Sequence, residues 1–132
     1  MTQLRIYAFV LMSVVNLACD AIGFAHHSYA ATYLPEERIE IKGTLVVFMY
    51  RNPHSVLQVM VTGTDGVPVR WACEWAGTRA LNDGGIRSDT LKPGDTLVVH
   101  GFPGRNPEVK RLLVTSLERP SDGWKWSGDS SQ

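Results

Sequence analysis

Cysteine is scarce in this chain: Cys19 and Cys73 are the only two among 132 residues. Two cysteines so far apart cannot build a paired-cysteine zinc cluster or a disulfide framework, and no haem-attachment spacing is present. An excess of charge is also missing, since 13 Lys+Arg face 13 Asp+Glu and the formal net charge is +0 at pH 7. Without a basic stripe nothing follows a phosphate backbone, which argues against a nucleic-acid partner. There is no glycine-rich phosphate loop. The one long apolar run, residues 6–18, is diluted by Ser13 and Asn16. It is shorter than the roughly 20 residues that a membrane-spanning helix needs.

What that run does resemble is the apolar core of a secretory signal over residues 1–25. Arg5 and the amino terminus supply a positive start, and Gly23 and Ala25 are small residues at the −3 and −1 positions of a cut after Ala25. The alternatives are an uncleaved amino-terminal anchor and a lipoprotein cut before Cys19. The expectation is therefore a periplasmic or secreted protein with no stable membrane insertion after cleavage. About 107 residues would remain, enough to bury a modest core without staples. Cys73 would then have no partner for an internal disulfide. Its ordinary role is that of a small buried apolar residue, with a soft metal ligand or an intermolecular bridge as alternatives.

The rest of the chain reads as strands. "RIEIKGTLVVFMY" is β-branched and aromatic, a long strand over residues 37–50 in which Gly43 marks a bulge or a bend. "RNPH" turns the chain, and "SVLQVMVTG" alternates as a second strand. "TDG" signals a hairpin into "VPVRWACEW", which puts Trp71, Cys73 and Trp75 on one face and Arg70, Ala72 and Glu74 on the other. "AGTRALNDGG" fits a short helix with Thr78 as its N-cap. "TLKPGD" is a turn, and "TLVVHGF" and "EVKRLLVTSLE" are two further strands. The predicted fold is all-β: a small five-stranded OB-like Greek-key barrel over residues 26–119, with one short helix between strands 3 and 4. Residues 120–132 read as a polar carboxy-terminal tail, loose after Trp126. A β-sandwich is the alternative, but usually wants about seven strands.

With these segments assigned, the chain resembles a family of small secreted bacterial proteins known as domain of unknown function 6152. The likeness covers His26 to about Leu117. It rests on "AHHS", on "GTL" leading a strand, on "NPH" at residues 52–54, on the tryptophan strand, and on "LKPGD" followed by "HGF". The chain departs from the family habit at Tyr29 and Tyr33, where phenylalanine is common, and at Leu34, where aspartate is. The resemblance implies an architecture and a set of recurrent positions, with no reaction attached.

Chemistry in this sequence centres on histidine: His26, His27, His54 and His100. A cut after Ala25 makes His26 the first residue, so that an α-amine and an imidazole could chelate one ion. Nitrogen-rich sites of this kind suit Cu(II). His27 offers a second chelate through the intervening amide, and His54, at a strand start after Pro53, could complete the shell. Glu74 and Asp95 are possible carboxylate ligands or supporting partners, Cys73 a possible soft ligand, and His100 an ordinary barrel residue. Ser28 and Ser55 adjoin histidines, but neighbours in an extended chain face apart, which disfavours a nucleophilic triad.

Two functions follow as expectations. One is a secreted, non-catalytic binding protein for copper or another transition metal, held by His26, His27 and His54. The other is a metal-free OB-fold module whose tryptophan face, Trp71 and Trp75, binds a small organic ligand, a glycan or a periplasmic partner protein. Hydrolase or metal-dependent oxidoreductase activity is a weaker third.

Overall fold

The computed structural model of the protein describes residues 29–128, and the chain divides into two units, Met1–Thr32 and Tyr33–Gln132. In the first unit the described residues 29–32 are helical. The expected signal, its cleavage site and the alternative anchor lie outside the described residues.

The second unit contains strands β1 (Ile39–Met49), β2 (Val56–Thr62) and β3 (Pro68–Glu74), helix α1 (Thr78–Asp83), and strands β4 (Thr96–Pro103), β5 (Arg111–Arg119) and β6 (Trp124–Ser127). Antiparallel pairs join β1 to β2, β2 to β3, β1 to β4 and β4 to β5, and a parallel β3–β5 pairing closes the ring. This is the five-stranded Greek-key barrel of the OB-fold, with its helix between β3 and β4, as the strand order of the sequence predicted. Closure removes the exposed edges that an open five-stranded sheet would leave.

Strand β1 is long because it serves two neighbours. Its first half, Ile39–Thr44, pairs with β4, and its second half, Thr44–Met49, pairs with β2 across a register shift between Leu45 and Val47. Gly43 lets β1 and β2 approach closely: a Cβ there would stand 2.3 Å from the Met60 carbonyl oxygen. The irregularity of β1 falls just beyond this glycine, at the register shift between Leu45 and Val47.

Alternation along each strand fills the interior with Leu45, Leu57, Val59, Leu97, Val99, Leu112 and Leu117, all at 0–1% exposure. Cys73 is buried among them. Burial pushes its thiol up from the usual 9.0 to about 12, so Cys73 is not a reactive thiolate at neutral pH. It also faces the interior, away from Glu74 on the outer side of the same strand, which rules it out as a soft ligand beside that residue. In the folded protein Cys73 is expected to resist a thiol-exchange reagent at pH 8 and to react at once in strong denaturant. The sign of its pH effect follows from the raised folded-state value. Its contribution to stability is intact below pH 9 and is lost as the pH rises toward 12, because only the unfolded chain releases the proton in that window.

Two expectations need correction. The helix N-cap is Gly77, and Thr78 is the first helical residue. Its backbone N–H and its hydroxyl both donate to the Asn52 side-chain oxygen at 3.0 Å, so the cap comes from the β1–β2 turn. A side chain at residue 77 would collide with the Pro53 carbonyl at 2.6 Å, which is why glycine stands there. The segment expected as a polar tail, loose after Trp126, contributes β6, which pairs Trp124 with Arg119 and Trp126 with Leu117. Its tryptophans pack on the core. Arg119 anchors this return. Its guanidinium donates to both Asp122 oxygens, to the Thr90 carbonyl at 2.7 Å and to Asp95 at 3.0 Å. The pairing holds Asp122 below the usual carboxylate range.

Candidate functional site

The register of β2 against β3 places Val56 opposite Glu74. The ladder runs one step further: the Trp75 N–H donates to the Ser55 carbonyl at 2.8 Å, and the Ser55 N–H to the Ala76 carbonyl at 3.1 Å. His54 thus arrives beside the end of β3. Glu74 points outward, since its neighbours Cys73 and Trp75 point in. His54 Nδ1 lies 2.6 Å from Glu74 Oε1, with the two side chains 38% and 21% exposed. The other carboxylate oxygen, Oε2, accepts the Tyr33 hydroxyl. Tyr33 is held by a bridge to Gly104 and is 2% exposed. One carboxylate therefore ties together the lead into β1, the β1–β2 turn and the end of β3. In the neutral imidazole the tie puts the proton on Nδ1 and makes Nε2 the acceptor.

The turn is locked from within. Ser55, fully buried, donates its hydroxyl to the Arg51 carbonyl and accepts the Arg51 N–H, both at 3.2 Å. That engagement removes Ser55 as a nucleophile for His54.

Two cations complete the site. Arg51 sits on the turn. Arg111 opens β5, and the parallel β3–β5 register sets it opposite Ala72, two residue pairs before Glu74 meets Leu113. Both arginines line a cleft of about 400 Å³ with Asn52, Pro53, His54 and Glu74. The same two arginines and Glu74 also line an adjoining recess of about 220 Å³, over Met49, Gln58 and Ala72. Among the described residues no ion pair engages either guanidinium, and Glu74, the one acid in the lining, has an oxygen on each of His54 and Tyr33. The cleft presents an oxyanion with two forked donors.

The remaining expected site residues scatter. His26, His27 and Ser28 lie outside the described residues. His100 pairs in register with Glu40 on the far side of β1, with Nδ1 3.8 Å from its carboxylate. Asp95 binds Arg119 and the Lys92 N–H and serves the "LKPGD" turn. Trp75 is a correction to the stacking face: at 2% exposure it belongs to the core, 4.8 Å between centroids from Trp126 and 5.9 Å from Phe48. Its indole N–H does not reach an edge acceptor, and none is found among the described residues. Trp71 is half-buried at the barrel end, with the Lys110 ammonium 5.9 Å from its ring centroid. Among the described residues no three His, Cys, Asp or Glu side chains stand together as a metal site.

Sequence reasoning missed Arg51 and Arg111. Arg51 was legible, as the first residue of the "RNPH" turn. Arg111 was not, because its place depends on a parallel pairing between strands separated by the helix and β4.

Comparison with known proteins gives a family and a general shape. A model described as "Family of unknown function (DUF6152)" matches residues 13–112. No curated protein matches the sequence. Among solved structures the Stn1–Ten1 complex of S. pombe is similar at 19% identity with a TM-score of 0.46, over 64% of this chain and 61% of that one. The protein PriB from Ralstonia solanacearum is similar at 21% identity with a TM-score of 0.39, over 62% of this chain and 95% of that one.

Proposed function

Because the chain belongs to the DUF6152 family, whose function is unknown, its role has to come from its own site, and we propose that it is a non-catalytic binding module for a small oxyanion. The observation that carries this reading is the pair Arg51 and Arg111, flanking the Glu74-held His54 in one open cleft. Two guanidiniums in a cleft whose one acid is already engaged favour a carboxylate or phosphate group, and the forked donors match its geometry. Cleft and recess together fall in the size range of small-molecule sites, roughly 300–1,000 Å³. Glu74 holds His54 through Nδ1 in the wall of the cleft. Among the described residues the serine beside His54 does not serve as the nucleophile that hydrolysis would require, since Ser55 is locked in its turn.

Backbone amide resonances recorded during titration with citrate and with inorganic phosphate test this. The expected shifts cluster on Arg51, His54, Glu74 and Arg111, and weaken as salt is raised. Shifts confined to the β2–β3 hairpin, or none at all, contradict the reading.

A second proposal concerns the terminus alone and is favoured by the His26–His27 pair directly after Ala25. If secretion exposes His26 as residue one, its amine and imidazole chelate Cu(II). The mass of the mature protein fixes the cut. Copper titration of that protein, beside a form carrying one extra residue before His26, is expected to show binding only in the first. Equal binding by both forms removes the chelate.

A further inference from the structure

A second cleft borders the first at Arg111. It has a volume of about 300 Å³ and lies between the lead into β1, the end of β3 and the β4–β5 loop. Its walls are mainly apolar, with Leu34, Trp71, Pro103, Pro107 and Val109. Val109 is 52% exposed, one of two large apolar side chains of the described residues left in water, and it stands at this rim. Charge at the cleft has one predominant sign: Arg105, Lys110 and Arg111 face a single acid, Glu37. Lys110 is the residue poised over the Trp71 ring.

The two clefts differ in kind and share one residue. On the Arg51 side the lining supplies guanidiniums, an amide and an imidazole. On the Trp71 side it supplies an indole, prolines and aliphatic surface, with few neutral hydrogen-bonding side chains. A sugar ring would find partners for its hydroxyls only at Glu37, Arg105, Lys110 and Arg111, and its other polar atoms would face Leu34, Pro103, Pro107 and Val109, at the cost of desolvation. An aromatic ring needs no such partners: it covers Val109 and packs beside the indole that Lys110 overlies. Building on the oxyanion reading above, we infer that the ligand is an aromatic carboxylate, with its carboxylate on Arg111 and Arg51 and its ring in the Trp71 cleft.

The ring and the charge make separable contributions, so the probes are 2-naphthoate, acetate, glucuronate and the neutral 2-naphthalenemethanol. Each is titrated by calorimetry into the full chain. The expected result is that 2-naphthoate binds at least about tenfold more tightly than the other three, which takes only the ~1.4 kcal/mol that one well-buried ring readily supplies. Val109→Asn, neutral and at an exposed rim position where folding is little affected, is expected to weaken 2-naphthoate several-fold through lost apolar cover and to leave acetate, which has no ring to cover, unchanged. Arg111→Gln is expected to weaken both. Equal affinity for 2-naphthoate and acetate, both lost in Arg111→Gln, overturns the aromatic ligand while the oxyanion site stands. Equal affinity for 2-naphthoate and its alcohol overturns the carboxylate contact. Tighter binding of glucuronate than of 2-naphthoate makes the ligand a sugar acid and overturns the inference. If no carboxylate binds, the inference and the oxyanion reading fall together.

Discussion

Replacing Trp75 with alanine is expected to destabilise the barrel by about 3–5 kcal/mol, the range for a large buried aromatic side chain. The indole is 2% exposed and packs against Phe48 on one side and, edge to face, against Trp126 on the other. It therefore joins the barrel to β6, the strand that the closed ring does not itself require. For a domain of about 100 residues this loss corresponds to a fall in melting temperature of roughly 15–30 °C. The unpartnered indole N–H sharpens the test. Removing a hydrogen-bonded tryptophan leaves an acceptor stranded, but here no acceptor is lost among the described residues. Trp75→Phe should thus cost much less than Trp75→Ala, within about 2 kcal/mol. Urea unfolding of the two variants measures both values. Similar losses for phenylalanine and alanine mean that the N–H has a partner the barrel cannot do without.

The second large effect belongs to Gly101, the glycine of "HGF". Gly101→Ala is expected to cost more than about 3 kcal/mol, above the usual range for overpacking. An added Cβ would stand 2.0 Å from the Leu113 carbonyl oxygen and 2.8 Å from its carbon. Both are backbone atoms of the neighbouring strand and neither can rotate away. The contact sits at the register shift between His100 and Gly101, where β4 and β5 approach to let the barrel coil. Gly104→Ala is the control, since its nearest neighbours are side-chain and carbonyl atoms of Arg111 at 3.4 Å and beyond. Thermal melts of both variants should separate them by more than 10 °C. Equal melts would mean that the strands can part at Gly101 without loss.

These two positions also show how much the sequence disclosed. Strict alternation made β2 and β3 legible, and it placed Trp71, Cys73 and Trp75 on the inner face, where they are. The tail was read as loose only after Trp126, but the strand in it was passed over: serine, glycine and charge outweighed Trp124 and Trp126, whose spacing of two residues is that of a strand with one buried face. A local rule also misled at Thr78, because the atom that caps the helix belongs to Asn52, a residue 26 positions away. "NPH" was noticed for its histidine. Its asparagine holds the helix, and its histidine is oriented by Glu74, so the motif positions the turn as well as lining the cleft.

The site divides along the same line. His54 and Glu74 were both singled out, but the link between them follows from one step of strand register, which alternation alone does not fix. Tyr33 was noticed only because a phenylalanine was expected there from the resemblance. Its hydroxyl is the group that phenylalanine lacks, and Glu74 accepts it. Arg111 reached the cleft through barrel closure, an outcome of the whole topology rather than of any short stretch.

The central claim is that Arg51 and Arg111 make this barrel an oxyanion receptor, and the most direct test compares the unaltered chain with Arg51→Gln/Arg111→Gln. Both side chains are exposed and without ion-pair partners among the described residues, so the double variant should melt within a few degrees of the unaltered protein. Calorimetric titration with citrate at low and at physiological salt is the measurement. The expected result is binding by the unaltered chain that weakens with salt and falls by at least about tenfold in the double variant. Equal affinity in the two proteins, or no binding by the unaltered chain at millimolar citrate, contradicts it.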